Sequence, residues 1–596
     1  MTLLAGGAGQ SDHPPTPRLA LAIGVVGHRP NRLPQDGAQL AAVKGEIGRV
    51  LDMLKREVEA VLKKDGNFFA PGQPMLSVVS ALAQGADTMV ATAAAERGFA
   101  LDAPLPFPRE VYEADFVGPE ARSTYRDFLH KARSVLELPG DRAAQAAAYE
   151  AAGLTVLANS DLIISVWDQG LSAGAGGTAD MMKNALGLRI PIVSIDANGV
   201  APTRIIWRPY GETKTNEDAE LGEDLSLSTL IAHLLTPPAH REERKGYTRY
   251  LNERSPSFSL RLEFPLLLAT FLLRSVRKED WRPRSPASLT SDYLANLSDL
   301  TSDPQQKTAA LAFGWADSIA IHYAQVLRSA IIANFLLPAT AVIVAVSSLL
   351  FPHEVKHNFV GAELVLLVLV LANSNLGGRQ SWDRRWYRAR EVAERLRVMW
   401  PLWLLGVRPN PFIDPQATWA TWYARAIARA SVPRSGLLTP DAIERARSVL
   451  IGLLKDQIRY HENNARLMGA LEQRLEWVAR AAFYTVALTG LAYLAVWWAG
   501  YETPDPLLYG VTAVAAGLPA IENAITLIRL TADFRGTEQR SRSMRFKLRP
   551  LIDAIEHDRR DLLLLRSRAY TAADAMLGDT SNWRLAAENR ELTIPG

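Results

Sequence analysis

Ser329-Ala-Ile-Ile-Ala-Asn-Phe-Leu-Leu-Pro-Ala-Thr-Ala-Val-Ile-Val-Ala-Val-Ser-Ser-Leu-Leu-Phe351 runs for 23 residues without a charge. About 20 apolar helical residues cross the hydrocarbon core of a bilayer, so this stretch reads as a membrane span. Three further runs approach or exceed that length. Residues 359–376 are apolar apart from Glu363, Asn373 and a few small polar residues, residues 478–501 carry Arg480 near their start, and residues 507–528 carry one charge, Glu522, followed by Asn523. A buried helix of a soluble protein would explain any one run, but four together predict a membrane domain. The run at 264–273 is too short to span and reads as a core helix or interfacial segment.

The flanks set an orientation. Residues 377–400 hold seven Arg against three acids, and residues 529–549 hold seven Arg or Lys against two, whereas the linkers at 352–357 and 502–506 hold one Lys and none. By the positive-inside rule the N-terminal region, the middle segment and the C-terminus are cytoplasmic. This predicts two transmembrane hairpins, a multi-pass protein of the cell inner membrane, inserted by internal segments because residues 1–10 lack a signal-peptide pattern. Each hairpin is followed by an Arg-rich amphipathic stretch, 382–397 and 534–549, and Leu396-Arg397 and Leu548-Arg549 lie 152 residues apart. These read as an internal repeat whose Arg-rich helices snorkel at headgroups, pack as a cytoplasmic bundle, or both. Polar groups inside spans mark functional or helix-gluing positions, and Glu363, Asn373, Glu522 and Asn523 are the candidates for a pore lining.

Upstream, strands alternate with helices. Leu19-Ala-Leu-Ala-Ile-Gly-Val-Val26 reads as a buried first strand, with further strands at 75–80, 99–106, 161–167 and 190–195 and helices at 39–63, 88–97 and 179–186. This pattern predicts an α/β doubly wound, Rossmann-like parallel sheet over 18–198, whose ligand crevice lies at the C-terminal ends of the strands. A helical or irregular connector (199–314), the first hairpin with its exit helix (315–400), a cytoplasmic helical segment (401–477) and the second hairpin with its C-terminal helices (478–596) complete the expected organisation.

The loops leaving the strands carry the chemistry of phosphate binding. The first is Gly27-His28-Arg29-Pro30, where a glycine admits close approach and an arginine offers a bidentate fork. The second is Ser80-Ala-Leu-Ala-Gln-Gly85-Ala-Asp87. The third runs from Asp168 to Gly176-Gly177-Thr178 before a helix, where free N–H groups and the helix dipole face an anion and Thr178 can cap the helix. A lone Gly-Gly-Thr is more often a turn with an N-cap, His28 alone is more often a packing residue, and Asp87 can cap its helix. Convergence of three such loops on one sheet edge is what favours a ligand.

These motifs, with Leu105-Pro-Phe-Pro108, Tyr112 and Asp115-Phe116, resemble the SLOG superfamily, which includes LOG phosphoribohydrolases, DNA-processing proteins of the DprA type and the ligand domains of TRPM channels. The resemblance covers about residues 18–196 and implies an ADP-ribose-like or cyclic nucleotide ligand. Where LOG enzymes carry a catalytic Glu, this chain has Met181, and a thioether can neither stabilise an oxocarbenium ion nor activate water. Asp180 lies about 100° around the helix from that position. No catalytic residue is assigned, and a sensor is expected rather than an enzyme. Trp315-Ala-Asp-Ser-Ile-Ala-Ile-His-Tyr-Ala-Gln-Val-Leu-Arg328, with the Arg-rich exit helix, resembles the SLATT group of two-helix membrane modules, which implies a pore-forming effector of prokaryotic antiviral defence.

Composition narrows the classes further. There is no Cys, so disulfides and thiolate metal sites are excluded, and no metal site or cofactor is expected. A net charge of +3 over 596 residues gives no basic face for nucleic acid. The expected partners are the lipid bilayer, a nucleotide and further copies of the chain. The expectation is a second-messenger-gated membrane effector. The alternative is a membrane-anchored nucleotide hydrolase, and a constitutive transporter is disfavoured by the short hairpins without broken helices.

Overall fold

The computed structural model describes residues 12–168, 170, 177–207, 227–295, 304–409, 418–501 and 504–588, with side chains as far as 578. A sheet of eight strands runs in the order β7-β6-β5-β1-β2-β3-β4-β8. Its strands are β1 (Ala20–Gly27), β2 (Met75–Val79), β3 (Ala100–Leu105), β4 (Ser134–Glu137), β5 (Leu162–Trp167), β6 (Ile192–Asp196), β7 (Arg204–Ile206) and β8 (Gly436–Leu437). All neighbours are parallel except β6 and β7. Seven of the eight residues of β1 are buried, as a strand covered on both faces must be. The crossovers pair Gly37–Asp65 with Ala86–Glu96 on one face and Gln145–Ala158 with Thr178–Gly187 on the other, as the right-handed rule for parallel strands requires. The chain reverses direction between β1 and β5, which is the topological switch point.

The sheet extends past the predicted boundary at 198 to β7, and its far edge is closed by β8, more than 200 residues downstream. The helix Trp419–Ala430 packs against β1 and reaches the N-terminal ends of the strands. There Arg429 Nε donates to Asp161 Oδ1 at 2.8 Å, just before β5, and the Tyr423 hydroxyl donates to the Pro15 carbonyl at 2.7 Å. One continuous hydrophobic core therefore joins the sheet to the helical middle of the chain.

Among the described residues four helices are long and apolar enough to cross a membrane. They are Pro304–Ser347, Lys356–Gln380, Pro440–Trp498 and Asp505–Ala532, here called the first to fourth apolar helices. The first packs on the second and the fourth, and the fourth on the third. Leu364, Val368, Leu371, Leu488, Leu491 and Trp498 are among the large apolar side chains exposed along them, a surface that suits hydrocarbon and not water. The predicted runs at 329–351 and 478–501 are the ends of much longer helices. The third apolar helix has 59 residues and is therefore about 88 Å long. Its first part was expected to be a separate segment. Ala442, Ile443, Ala446, Leu450 and Leu454 bury one helical stripe there, and no proline interrupts the run.

Geometry reinforces the internal repeat. The second and fourth apolar helices each end at a left-handed residue, Ser381 (φ 49°) and Asp533 (φ 50°), themselves 152 residues apart. From these start the helices Trp382–Arg397 and Phe534–His557, which pack back along the first and third apolar helices. The first Arg-rich helix is bundled, with Arg385 paired to Glu253, Arg388 to Glu243 (2.8 Å) and Arg397 to Asp317 (3.2 Å). Within 315–328, Asp317 and Tyr323 both meet this helix, Tyr323 under the Arg385 guanidinium at 4.5 Å. The short run at 264–273 contains the helix Glu263–Thr270, whose Phe264 and Leu268 are buried against Met468, Leu471 and Phe534.

Candidate functional site

The loops after β1, β2 and β5 meet at the C-terminal edge of the sheet. His28 is 4% exposed and ties two of them together. Its Nε2 lies 2.7 Å from Asp168 Oδ1 and 3.2 Å from the Asp168 N–H. The shorter contact makes Nε2 the donor, so that N–H finds no lone pair there and Nδ1 is left to accept from the Thr178 hydroxyl at 3.5 Å. Asp168 also accepts from Arg32 (2.8 Å) and from the Gly170 N–H (2.9 Å). Burial opposes its charge, but the Gly170 N–H, His28 and Arg32 together hold its pKa below the usual carboxylate value. Gly177, with φ −71°, is the residue capping the helix Thr178–Gly187. Thr178 therefore occupies the first helical position, and its hydroxyl serves His28 and not the helix end, contrary to the expected cap. Gly176 lies outside the described residues.

The second loop is locked to the first. Gly85 has φ 116°, and a Cβ there would stand 2.5 Å from the His28 carbonyl oxygen. A Cβ on Gly27 would stand 2.4 Å from that of Ala86. Both glycines thus serve loop-to-loop packing. Ser80 is fully buried, and its hydroxyl donates to Asp87 Oδ2 (3.1 Å) while accepting from the Leu82 N–H (3.0 Å). That hydroxyl is engaged within the protein, so the donor expected for a phosphate is turned inward. Leu82 takes φ 59° to make this turn.

What stays available for a ligand is Arg29. Its guanidinium lies over the Tyr149 ring at 5.3 Å and, among the described residues, makes no hydrogen bond or ion pair. Asp87, 6% exposed, sits beside it. Burial pushes the Asp87 carboxyl up to about 6, against the pull of Arg29 and the bonds from Ser80 and the Ala83 N–H. Burial also raises the Tyr112 hydroxyl far above its usual value, with Arg29, Asp87 and Asp115 as its charged neighbours. Asp115 accepts from Tyr149 (2.5 Å) and Arg142 (2.6 Å). The edge is therefore an arginine with unused donors framed by tyrosines and two carboxylates. Tyr149, Arg142 and Arg32 escaped the sequence reading because they lie in helices whose contribution to this edge depends on tertiary placement. The chain matches no protein-family model, no curated protein and no solved structure.

Met181 is 2% exposed and packs against Gly153. Asp180 lies in the first turn of that helix. Among the described residues no group of His, Asp and Glu could hold a metal ion.

The polar residues of the apolar helices take separate roles. Asn373 is buried, donates to the Ala330 carbonyl (2.9 Å) and accepts from Arg261 (2.6 Å), while Ser374 donates to Asn334 Oδ1 (2.7 Å). It joins helices. Glu522 accepts from Thr526 of its own helix (3.3 Å). Arg529, on the same stripe, pairs instead with Glu472 of the third apolar helix (2.7 Å). Glu363 makes no hydrogen bond or ion pair among the described residues, and Asn523 is exposed.

Proposed function

We propose that this chain is a nucleotide-gated membrane effector, with its sheet-bearing body in the cytosol and its four apolar helices in the inner membrane. A phosphate-bearing ligand, ADP-ribose-like or cyclic, engages Arg29 at the sheet edge. It then shifts the packing of the helices so that the membrane becomes permeable, as the SLATT resemblance implies for antiviral defence. The reading is carried by the connection from the sheet to the third apolar helix. Tyr112 belongs to the helix Arg109–Tyr112. Arg109 holds Glu137 at the end of β4 through its N–H (2.8 Å) and its Nε (2.9 Å). The Glu137 carbonyl accepts from the Leu438 N–H (2.9 Å), directly after β8. Thr439 then caps the 59-residue helix that forms the third span. A few contacts thus link the site to the cap of a helix whose apolar run begins at residue 478. A ligand drives such a change only through its differential affinity for the two states, about 1–3 kcal/mol per site.

The test uses the full-length protein, because Trp419–Ala430 and β8 complete the core of the sheet. Calorimetric titration with ADP-ribose and cyclic nucleotides, beside dye release from proteoliposomes, should give binding and leakage together. Arg29→Ala should remove both, and Arg109→Ala should keep binding but blunt leakage. Leakage that survives Arg29→Ala would sink the reading.

A second reading draws on Asp87, whose pKa near 6 beside an arginine is a tuning typical of general acids and bases. On it, the helices anchor a nucleotide hydrolase. Product formation from NAD or ADP-ribose that disappears in Asp87→Asn would favour that enzyme.

A further inference from the structure

A cavity of about 860 Å³ lies at the junction between the apolar helices and the sheet-bearing body, far from the sheet edge. It falls within the size range of small-molecule sites. Its walls come from the start of the charge-free part of the first apolar helix (Leu327, Ile331) and the ends of the second (Arg379) and fourth (Thr531). The helix Arg241–Leu251 and the first Arg-rich helix complete it. Eight Lys or Arg line it against five Asp or Glu.

Several of these cations have no anionic partner. Arg328 stands one residue before the uncharged run. Its guanidinium is stacked over Phe264 at 5.2 Å and near Trp386 at 6.0 Å, with no hydrogen bond or ion pair among the described residues. A guanidinium has five N–H donors, and leaving them unmet in a half-buried place is unfavourable. Among the described residues Arg379 and Lys245 likewise make no ion pair, and the Arg249 guanidinium donates to the Gln380 carbonyl, at 3.3 Å, with Glu253 as a charged neighbour. Ile319, Leu327 and Ile331 give the cavity an apolar part. An excess of unpaired guanidinium groups beside apolar side chains, at the level where a bilayer would begin, selects an anion with several oxygens.

We propose that this cavity binds a phosphate ester anion, either the headgroup of an acidic phospholipid or a soluble polyphosphate, held by Arg328 with Arg249 and Arg379. Occupancy would bridge the first and second apolar helices to the helix Arg241–Leu251, and would therefore bear on how the body is held against the membrane helices. This site is independent of Arg29.

The test reconstitutes full-length protein in phosphatidylcholine nanodiscs, with or without phosphatidylglycerol, and separately adds labelled inorganic pyrophosphate. Each addition is followed by thermal unfolding, and bound lipid or label is counted. Stabilisation of the parent by phosphatidylglycerol alone identifies the headgroup, and saturable pyrophosphate binding that persists in Arg29→Ala identifies a soluble ligand of this cavity. In either case Arg328→Gln, and independently the exposed pair Arg249→Gln with Arg379→Gln, should weaken the interaction about tenfold or more, as loss of a charged hydrogen bond does. The exposed pair guards against a folding defect in Arg328→Gln. Equal affinity in parent and variants, or no response to either anion, overturns the proposal.

Discussion

Replacing Asp87 with Asn should make the unliganded protein more stable at neutral pH. The carboxyl is 6% exposed, and burial raises its pKa from 3.8 to about 6. Roughly two pH units correspond to about 3 kcal/mol of penalty for keeping it ionised in the folded state. Asn retains the shape but loses one of two accepting positions, those facing the Ser80 hydroxyl and the Ala83 N–H, which costs about 1 kcal/mol. The net expectation is about 2 kcal/mol of stabilisation, or roughly 4 °C in Tm for a body of this size.

The pH dependence has a defined sign. A carboxyl whose folded pKa is raised takes up its proton first in the folded state. Its stabilising contribution is therefore fully present below pH 3.8 and lost as pH rises through about 6. The advantage of the Asn variant should be largest at pH 7–8, shrink by about two thirds at pH 5 and vanish at about pH 4.5. Tryptophan-monitored thermal unfolding in detergent across that range reads it directly. A variant less stable than the parent at pH 7.5, or a difference that does not change with pH, would refute the electrostatic account of this edge. A residue that weakens its own fold is what a functional site retains, so nucleotide titration of the same variant is informative. A pure binding site should keep or tighten its affinity when the repelling carboxylate is removed.

Arg429→Met should lower stability by about 3–5 kcal/mol, since it strands the buried Asp161 carboxylate. The double variant with Asp161→Asn should recover part of that, and a single variant within 1 kcal/mol of the parent in urea unfolding would contradict it. Gly85→Ala should cost about 1–3 kcal/mol, because φ is 116° and the new Cβ meets the His28 carbonyl. It should also displace Arg29 and weaken nucleotide binding, and an unchanged Tm would show that the loops yield easily. Glu522→Ala should still insert and bind nucleotide yet lose ligand-triggered ion leakage from proteoliposomes. If it and Glu363→Ala both leak like the parent, the permeation path is lined elsewhere.

The parts of the fold legible in the sequence are those with a long or strongly apolar local signature. β1, β2, β3, β5 and β6 are runs of buried apolar residues between glycine or proline breaks, and the four apolar helices are longer than any competing pattern. β4 was missed because Ser134-Val-Leu-Glu is four residues with polar ends. β8 was missed because two residues have no period, and their partner lies some 300 positions away. At the site, the convergence of the loops carrying Arg29 and Gly85 on one sheet edge is readable, whereas the packing role of Gly85 is not. The inward turn of the Ser80 hydroxyl is not readable either, because its partner Asp87 reads equally as a ligand group or a helix cap. The joining of His28, Asp168 and Thr178 depends on register between β1 and β5, which no local window contains.

The missed elements are also the ones that matter for coupling. A sheet ending at 198 would be a free domain on a tether, and ligand at its edge would have little to push against. With β8 supplied from 436–437, the sheet carries its own attachment to the third apolar helix. Only Leu438 and Thr439 intervene between strand and helix, and Leu438 is fully buried. The opposite end of the sheet is pinned by Asp161 and Arg429. A change at the Arg29 edge can therefore be taken up by bending the sheet, or by moving β4 and β8 together with the helix cap. Bending works against the packed core on both faces, whereas the path through Arg109 and Glu137 crosses only a few hydrogen bonds at the sheet's margin. That asymmetry favours the helix as the element that moves. It makes Arg109→Ala, a change outside both the Arg29 edge and the apolar helices, the variant in which binding and permeation should separate.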